Sequence, residues 1–148
     1  MSDIISKKFV SKFSKKLPPF GGNGLGYIVY KRTYAREVEG QDRTEEWHET
    51  IARAINGAQA IGADYTQEEA ERLFSYMWEL KGTFSGRSLW QLGTSMIEKF
   101  GAPSLLNCYM VSIESIEDFQ FLMDHLMLGG GVGFSIERAN VHSFPKVK

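Results

Sequence analysis

The sequence predicts an α/β chain in which a mostly helical N-terminal stretch leads into a strand–helix–strand segment. Three observations carry that expectation. Between residues 44 and 81, apolar residues recur at helical spacing behind capping residues. Leu106 to Ile113 is an apolar run of strand length. A second capped helical pattern follows it, stops at Gly129-Gly130-Gly131 and resumes as Val132-Gly133-Phe134.

Each element has its own signal. Residues 2 to 16 place Ile4, Ile5, Phe9, Val10 and Phe13 among five lysines, a basic amphipathic arm. Such an arm can attach to a membrane surface, dock on its own protein or fray. Pro18-Pro19 ends it, because the second proline disfavours helix at the first. Gly21-Gly22-Asn23-Gly24-Leu25-Gly26 lacks dinucleotide spacing, with no strand before it and no helix directly after, and reads as a loop. Tyr27-Ile28-Val29-Tyr30 is β-branched and aromatic and reads as a strand with a basic end from Lys31 to Arg36. Thr44 is placed to cap a helix with Trp47, Ile51, Ala54, Ile55 and Ala58 on its apolar face. His48 beside it reads as a surface histidine. Thr66 and Glu69 form a capping box for a helix presenting Ala70, Leu73, Phe74 and Met77 and stopping at Lys81-Gly82.

Leu106 to Ile113 is expected to be a largely buried strand. Ser115 then caps a helix, with Asp118 in its first turn and Ile116, Phe119, Leu122, Met123 and Leu126 as its core face; Asp124 and His125 point elsewhere. The glycine run falls in helix-to-strand order, and a dinucleotide fingerprint needs the reverse, so that reading is rejected.

Composition excludes several classes. A 148-residue chain with 43% hydrophobic and 24% charged residues is one globular domain or part of a larger one. A net charge of −1 gives no field for nucleic acid. No apolar run reaches the roughly 20 residues that span a bilayer, and lysines interrupt any signal-peptide pattern. One cysteine and no export signal predict a reducing, cytoplasmic setting.

That cysteine is Cys108, in Leu105-Leu106-Asn107-Cys108-Tyr109-Met110-Val111. Alone it makes no internal disulfide, and three scattered histidines give it no metal cage. Taken by itself it is either a core-filling thiol, as most free cysteines are, or a reactive one before a glycine-lined turn.

Four stretches in order resemble the N-terminal part of the large catalytic subunit of ribonucleotide reductases, most closely the class II, adenosylcobalamin-dependent ribonucleoside-triphosphate reductases. They are Leu25 to Arg36, Thr83-Phe84-Ser85-Gly86-Arg87-Ser88-Leu89-Trp90, Leu106-Asn107-Cys108, and Gly129 to Ser135. The resemblance implies a helical region followed by the first strands and helices of a ten-stranded α/β barrel. It divides the chain into an arm and Gly/Pro loop (1–24), a mostly helical region (25–104) and the start of the barrel (105–148). It implies radical reduction of a ribonucleotide, with Cys108 as the first of two reducing thiols that end as a disulfide. Thr83, Ser85, Asn107 and Gly131 match substrate-holding positions, and the helix carrying Phe119, Leu122, Met123 and Leu126 matches a region of effector sensing. The implied cofactor is adenosylcobalamin, its site mostly outside this chain, and no metal ligand is expected here. The implied partners are a ribonucleotide, the remainder of the barrel on a separate or downstream chain, and a thioredoxin-like reductant; neither nucleic acid nor membrane is expected.

The departures matter as well. The family's thiyl cysteine, its finger-loop glutamate and asparagine, and the partner of Cys108 have no counterpart in this sequence, and Phe84 stands where many relatives have proline. The chain is therefore expected to be an N-terminal segment, from a split, intein-interrupted or incomplete gene, inactive alone. A non-catalytic nucleotide-binding module and a peripheral adaptor held by the basic arm are the competing classes.

Overall fold

The computed structural model describes residues 3–146, and the chain divides into two compact units, Met1–Glu98 and Lys99–Lys148. In the first unit, helices α3 (Trp47–Ala60) and α4 (Gln67–Trp78) pack together. Trp47, Ile51, Ala54, Ile55 and Ala58 of α3 are buried as their spacing predicts, as are Ala70, Phe74 and Met77 of α4, and the Trp47 ring packs on Phe20 and Tyr30. Thr66 caps α4 in the expected box with Glu69: the Thr66 amide donates to Glu69 Oε2 at 2.9 Å and its hydroxyl accepts from the Glu69 amide.

The basic arm docks on this pair. Its helix α1 is a single turn, Lys7–Val10, capped by Ser6. Ile5 is buried and its amide donates to Asn56 Oδ1 at 2.9 Å. The Phe9 and Phe13 rings lie 5.3 and 4.8 Å from Phe74, and Phe13 lies 5.1 Å from Trp78. The apolar side that a membrane would take is thus committed to the unit's own core.

Three local expectations are corrected here. Tyr27 to Tyr30 is not a strand but part of helix α2, Leu25–Thr33, which starts directly after the glycine loop. Helical spacing puts Tyr27, Tyr30 and Lys31 on one side, where each finds a partner. The Tyr30 hydroxyl donates to the Glu45 carbonyl at 3.1 Å and lies 2.8 Å from Thr50 Oγ1, and its ring stacks on Phe20. Tyr27 and Lys31 both donate to the Glu46 carboxylate. These tertiary partners override β-propensity, which only measures fit to a pleated, half-buried surface. Thr44 does not cap α3, because it is extended in an antiparallel bridge with Glu37; Glu46 is the cap, its amide donating to Glu49 Oε2 at 2.7 Å. Helix α4 ends at Trp78, before Lys81-Gly82, since Leu80 takes the left-handed conformation (φ 57°) that a glycine commonly supplies.

A buried ion pair fixes the chain after α4. Arg53 donates from Nε to Glu45 Oε1 at 2.6 Å and from Nη2 to Glu45 Oε2 at 2.9 Å. The same guanidinium donates to the carbonyls of Leu89 and Leu92, around the end of the short helix α5, Gly86–Gln91. Helix α6, Ser95–Phe100, follows.

The second unit is built on a strand–helix–strand: β1 (Cys108–Ser112), α7 (Ile116–Met127) and β2 (Gly131–Ser135), then α8 (Arg138–Ser143). The strands are parallel, with Cys108 opposite Gly131, Met110 opposite Gly133 and Ser112 opposite Ser135. Ser115 and Asp118 form the expected start of α7, and Gly129 (φ 82°) its expected stop. The expected burial is corrected. β1 alternates between exposed and half-buried residues instead of being a buried strand. Phe119, Met123, Leu126 and Ile116 are exposed and Leu122 half-buried, so they are not a core face within this unit. His125, expected to point away, packs on β1 instead, its ring 4.2 Å from Tyr109. Two strands and one helix have too little surface to enclose both sides of α7.

Candidate functional site: the open face of the parallel strand pair

Successive strand residues point to opposite faces of a sheet. Tyr109 turns toward α7, where Phe121 and His125 meet its ring. Cys108, Met110 and Ser112 therefore share the other face, and register places Gly131, Gly133 and Ser135 beside them. None of the described helices of this unit covers that face: Cys108, Met110, Ser112, Gly131 and Gly133 are all exposed. The thiol expected to be buried is thus accessible. At the far end, Ser135 Oγ donates to Ser112 Oγ at 3.3 Å.

The three consecutive glycines differ in what the fold asks of them. Gly129 holds a positive φ of 82°. A Cβ on Gly130 would stand 2.9 Å from the Tyr109 ring and 3.1 Å from the His125 carbonyl, so close packing requires glycine there. Gly131 has neither constraint. Its φ is not left-handed, and an added Cβ would meet only the Asn107 carbonyl, at 3.4 Å. The Gly131 amide donates to that carbonyl at 2.7 Å, which fixes Asn107, Cys108 and Gly131 as one rung.

Three of the sequence-predicted site residues, Asn107, Cys108 and Gly131, are thus brought together. Thr83 and Ser85 belong to the first unit. Thr83 is exposed and lines a cavity of about 540 Å³ with Leu73, Tyr76, Lys81, Gly82 and Phe84. Ser85 caps α5, accepting from the Ser88 amide at 3.3 Å, which accounts for its hydroxyl without a ligand. Phe119, Leu122, Met123 and Leu126 lie along α7, away from the thiol face. Sequence reasoning missed Met110, Ser112, Gly133 and Ser135. The signal was the period of two along β1 and β2, which assigns them to the face of Cys108.

Among the described residues no group of three or more His, Cys, Asp or Glu is placed to hold a metal ion. None of the described helices is long and apolar enough to cross a membrane.

Fold and face define an α/β protein that presents one accessible thiol on an open parallel sheet. The family model for the ribonucleotide reductase alpha domain matches residues 5–94, and the chain belongs to that family. It is 34% identical over 174 residues to an adenosylcobalamin-dependent ribonucleoside-triphosphate reductase of Lactobacillus delbrueckii subsp. bulgaricus, an alignment covering 97% of this chain and 23% of the relative. The reductase of the same name from Euglena gracilis is 35% identical over 161 residues, covering 96% and 22%. Among solved structures, a B-12-dependent (class II) ribonucleotide reductase superposes with a TM-score of 0.76 at 34% identity, over 97% of this chain and 24% of that one. The chain thus spans under a quarter of the length of the relatives it matches.

Proposed function

We propose that this chain forms part of an adenosylcobalamin-dependent ribonucleoside-triphosphate reductase, in which the open face of β1 and β2 is a wall of the ribonucleotide site. The observation that carries the reading is the accessible Cys108 thiol in register with Gly131, a glycine with neither a positive φ nor a tight Cβ contact among the described residues. Cys108 is one of two reducing thiols, the second lying on the polypeptide that completes the enzyme. The pair gives two electrons and two hydrogens: the ribose 2′-hydroxyl leaves as water, a hydrogen takes its place on carbon, and the two sulfurs become a disulfide. A thioredoxin-like dithiol then resets the pair by exchange.

Asn107 and Gly131 present backbone to the nucleotide, while Thr83 and Ser85, in the first unit, match substrate-holding positions of the family. The α7 residues Phe119, Leu122, Met123 and Leu126 belong to an effector-sensing surface. The strands β1 and β2 are the first of a ten-stranded α/β barrel: parallel strands occur almost only in sheets covered on both faces, and here only one face is covered. Residues 1–24, 25–104 and 105–148 are the arm and loop, the helical region and the beginning of that barrel.

Adenosylcobalamin supplies the radical that starts the reaction. The described cavities, of about 540 to 640 Å³, suit a drug-sized ligand. Cobalamin is far larger, so no residue of this chain is assigned to hold it.

Co-expression of the chain with a polypeptide supplying the rest of the reductase tests the proposal. Adenosylcobalamin-dependent reduction of a ribonucleoside triphosphate should require both parts. An assembled, folded complex with no such activity would sink it.

A further inference from the structure

The open sheet face bears one large side chain. Met110 stands one same-face step along β1 from Cys108 and is 71% exposed. Its sulfur lies 3.1 Å from where a Cβ on Gly133 would sit, so the thioether is laid across β2 on the rung it shares with that glycine. The neighbouring Cys108–Gly131 rung has no such cover. The face is therefore low at the thiol and raised at the next rung, about 7 Å along the strands. A sugar lying on the low rung meets the thioether as a side wall.

We propose that Met110 is a positioning residue of the reductase: its thioether stops the ribonucleotide from sliding along the strands and so holds the ribose against the Cys108 thiol. Gly133 is glycine because the wall must lie down across it. The inference rests on the reading of Cys108 as a reducing thiol. The wall acts by volume, and an unbranched, adaptable methionine can follow the edge of the ligand.

The test uses the assembled reductase with a ribonucleoside triphosphate as the probe. Met110→Ala should raise KM about tenfold, the low end for cutting back one side chain of an apolar wall, with an unchanged melting temperature. Met110→Leu keeps the volume and should restore KM. Gly133→Ala lifts the thioether from its bed and should raise KM as well. A Met110→Ala enzyme that melts earlier with an unchanged KM would make the side chain mere packing and overturn the proposal. So would a leucine variant as poor as alanine. Cys108→Ser in parallel separates the two levels: if it abolishes reduction while Met110→Ala changes nothing, only the role of Met110 falls. If Cys108→Ser reduces substrate normally, the reading beneath it falls too.

Discussion

Gly131→Ala separates contact from conformation, and its neighbours supply the controls. In β2 the new methyl meets nothing nearer than the Asn107 carbonyl at 3.4 Å, an ordinary van der Waals distance, and the backbone is not left-handed. Gly131 opens β2, and alanine loses less backbone freedom on folding than glycine, so stability should hold or rise slightly. If the nucleotide lies against this rung, the methyl occupies its space and affinity should fall about tenfold or more, as for a misfit of one carbon in a shaped pocket. Gly129→Ala should do the reverse. At φ 82° its Cβ costs roughly 1–2 kcal/mol, which in an assembly larger than this chain lowers the melting temperature by at most about 2–4 °C for each kcal/mol. Affinity per folded molecule should stay unchanged. Melting curves and nucleotide binding, measured on one preparation of the assembled enzyme, read both quantities. A destabilised Gly131→Ala enzyme with normal affinity would refute the reasoning and remove Gly131 from the site.

Three further outcomes follow from the first unit. Arg53→Met leaves the Glu45 carboxylate buried without its fork and the Leu89 and Leu92 carbonyls without a donor; it should cost about 3 kcal/mol, and a loss below about 1 kcal/mol in chemical denaturation would contradict that account. Burial holds the half-buried His48 below its ordinary pKa of 6.5, against the pull of Glu49 and Glu46 and with the push of Arg43. As pH falls below 6.5 the unfolded chain takes up a proton that the folded histidine refuses, so stability should decline through that window and level off below the folded value. His48→Gln should flatten this slope; an unchanged slope would assign it to another group. The Glu49 carboxyl, held below its ordinary 4.5 by the Arg43 hydrogen bond, acts in a separate window: its contribution is complete above 4.5 and lost as pH falls further.

Much of this was legible because it depends on local chemistry. The boxes Thr66–Glu69 and Ser115–Asp118, the stop at Gly129 and the buried stripe of α3 all follow from spacing and side-chain type. Helix α2 was not, because Tyr30 is held by Thr50 and Glu45, twenty and fifteen residues away, and single-sequence propensity sees neither. The Thr44 error has the same origin: a good capping residue was taken up by a bridge to Glu37. Burial in the second unit failed for another reason. Apolar spacing marks which side of α7 wants cover but not whether the cover is at hand, so Phe119, Met123 and Leu126 looked like core and are exposed. Cys108 was singled out through the resemblance its neighbours carry, yet Met110 passed as one more apolar residue, since only the pairing of β1 with β2 sets it on the face of the thiol.

The most direct measurement is Cys108→Ser in the assembled enzyme, followed by two readouts. Serine cannot close a disulfide and so cannot supply the two electrons that reduce the substrate, and deoxynucleotide formation should stop. Hydrogen exchange at adenosylcobalamin, which needs the radical-bearing cysteine and not this one, should continue. Loss of that exchange in a folded enzyme, or normal deoxynucleotide formation, would contradict the assignment of Cys108 as a reducing thiol.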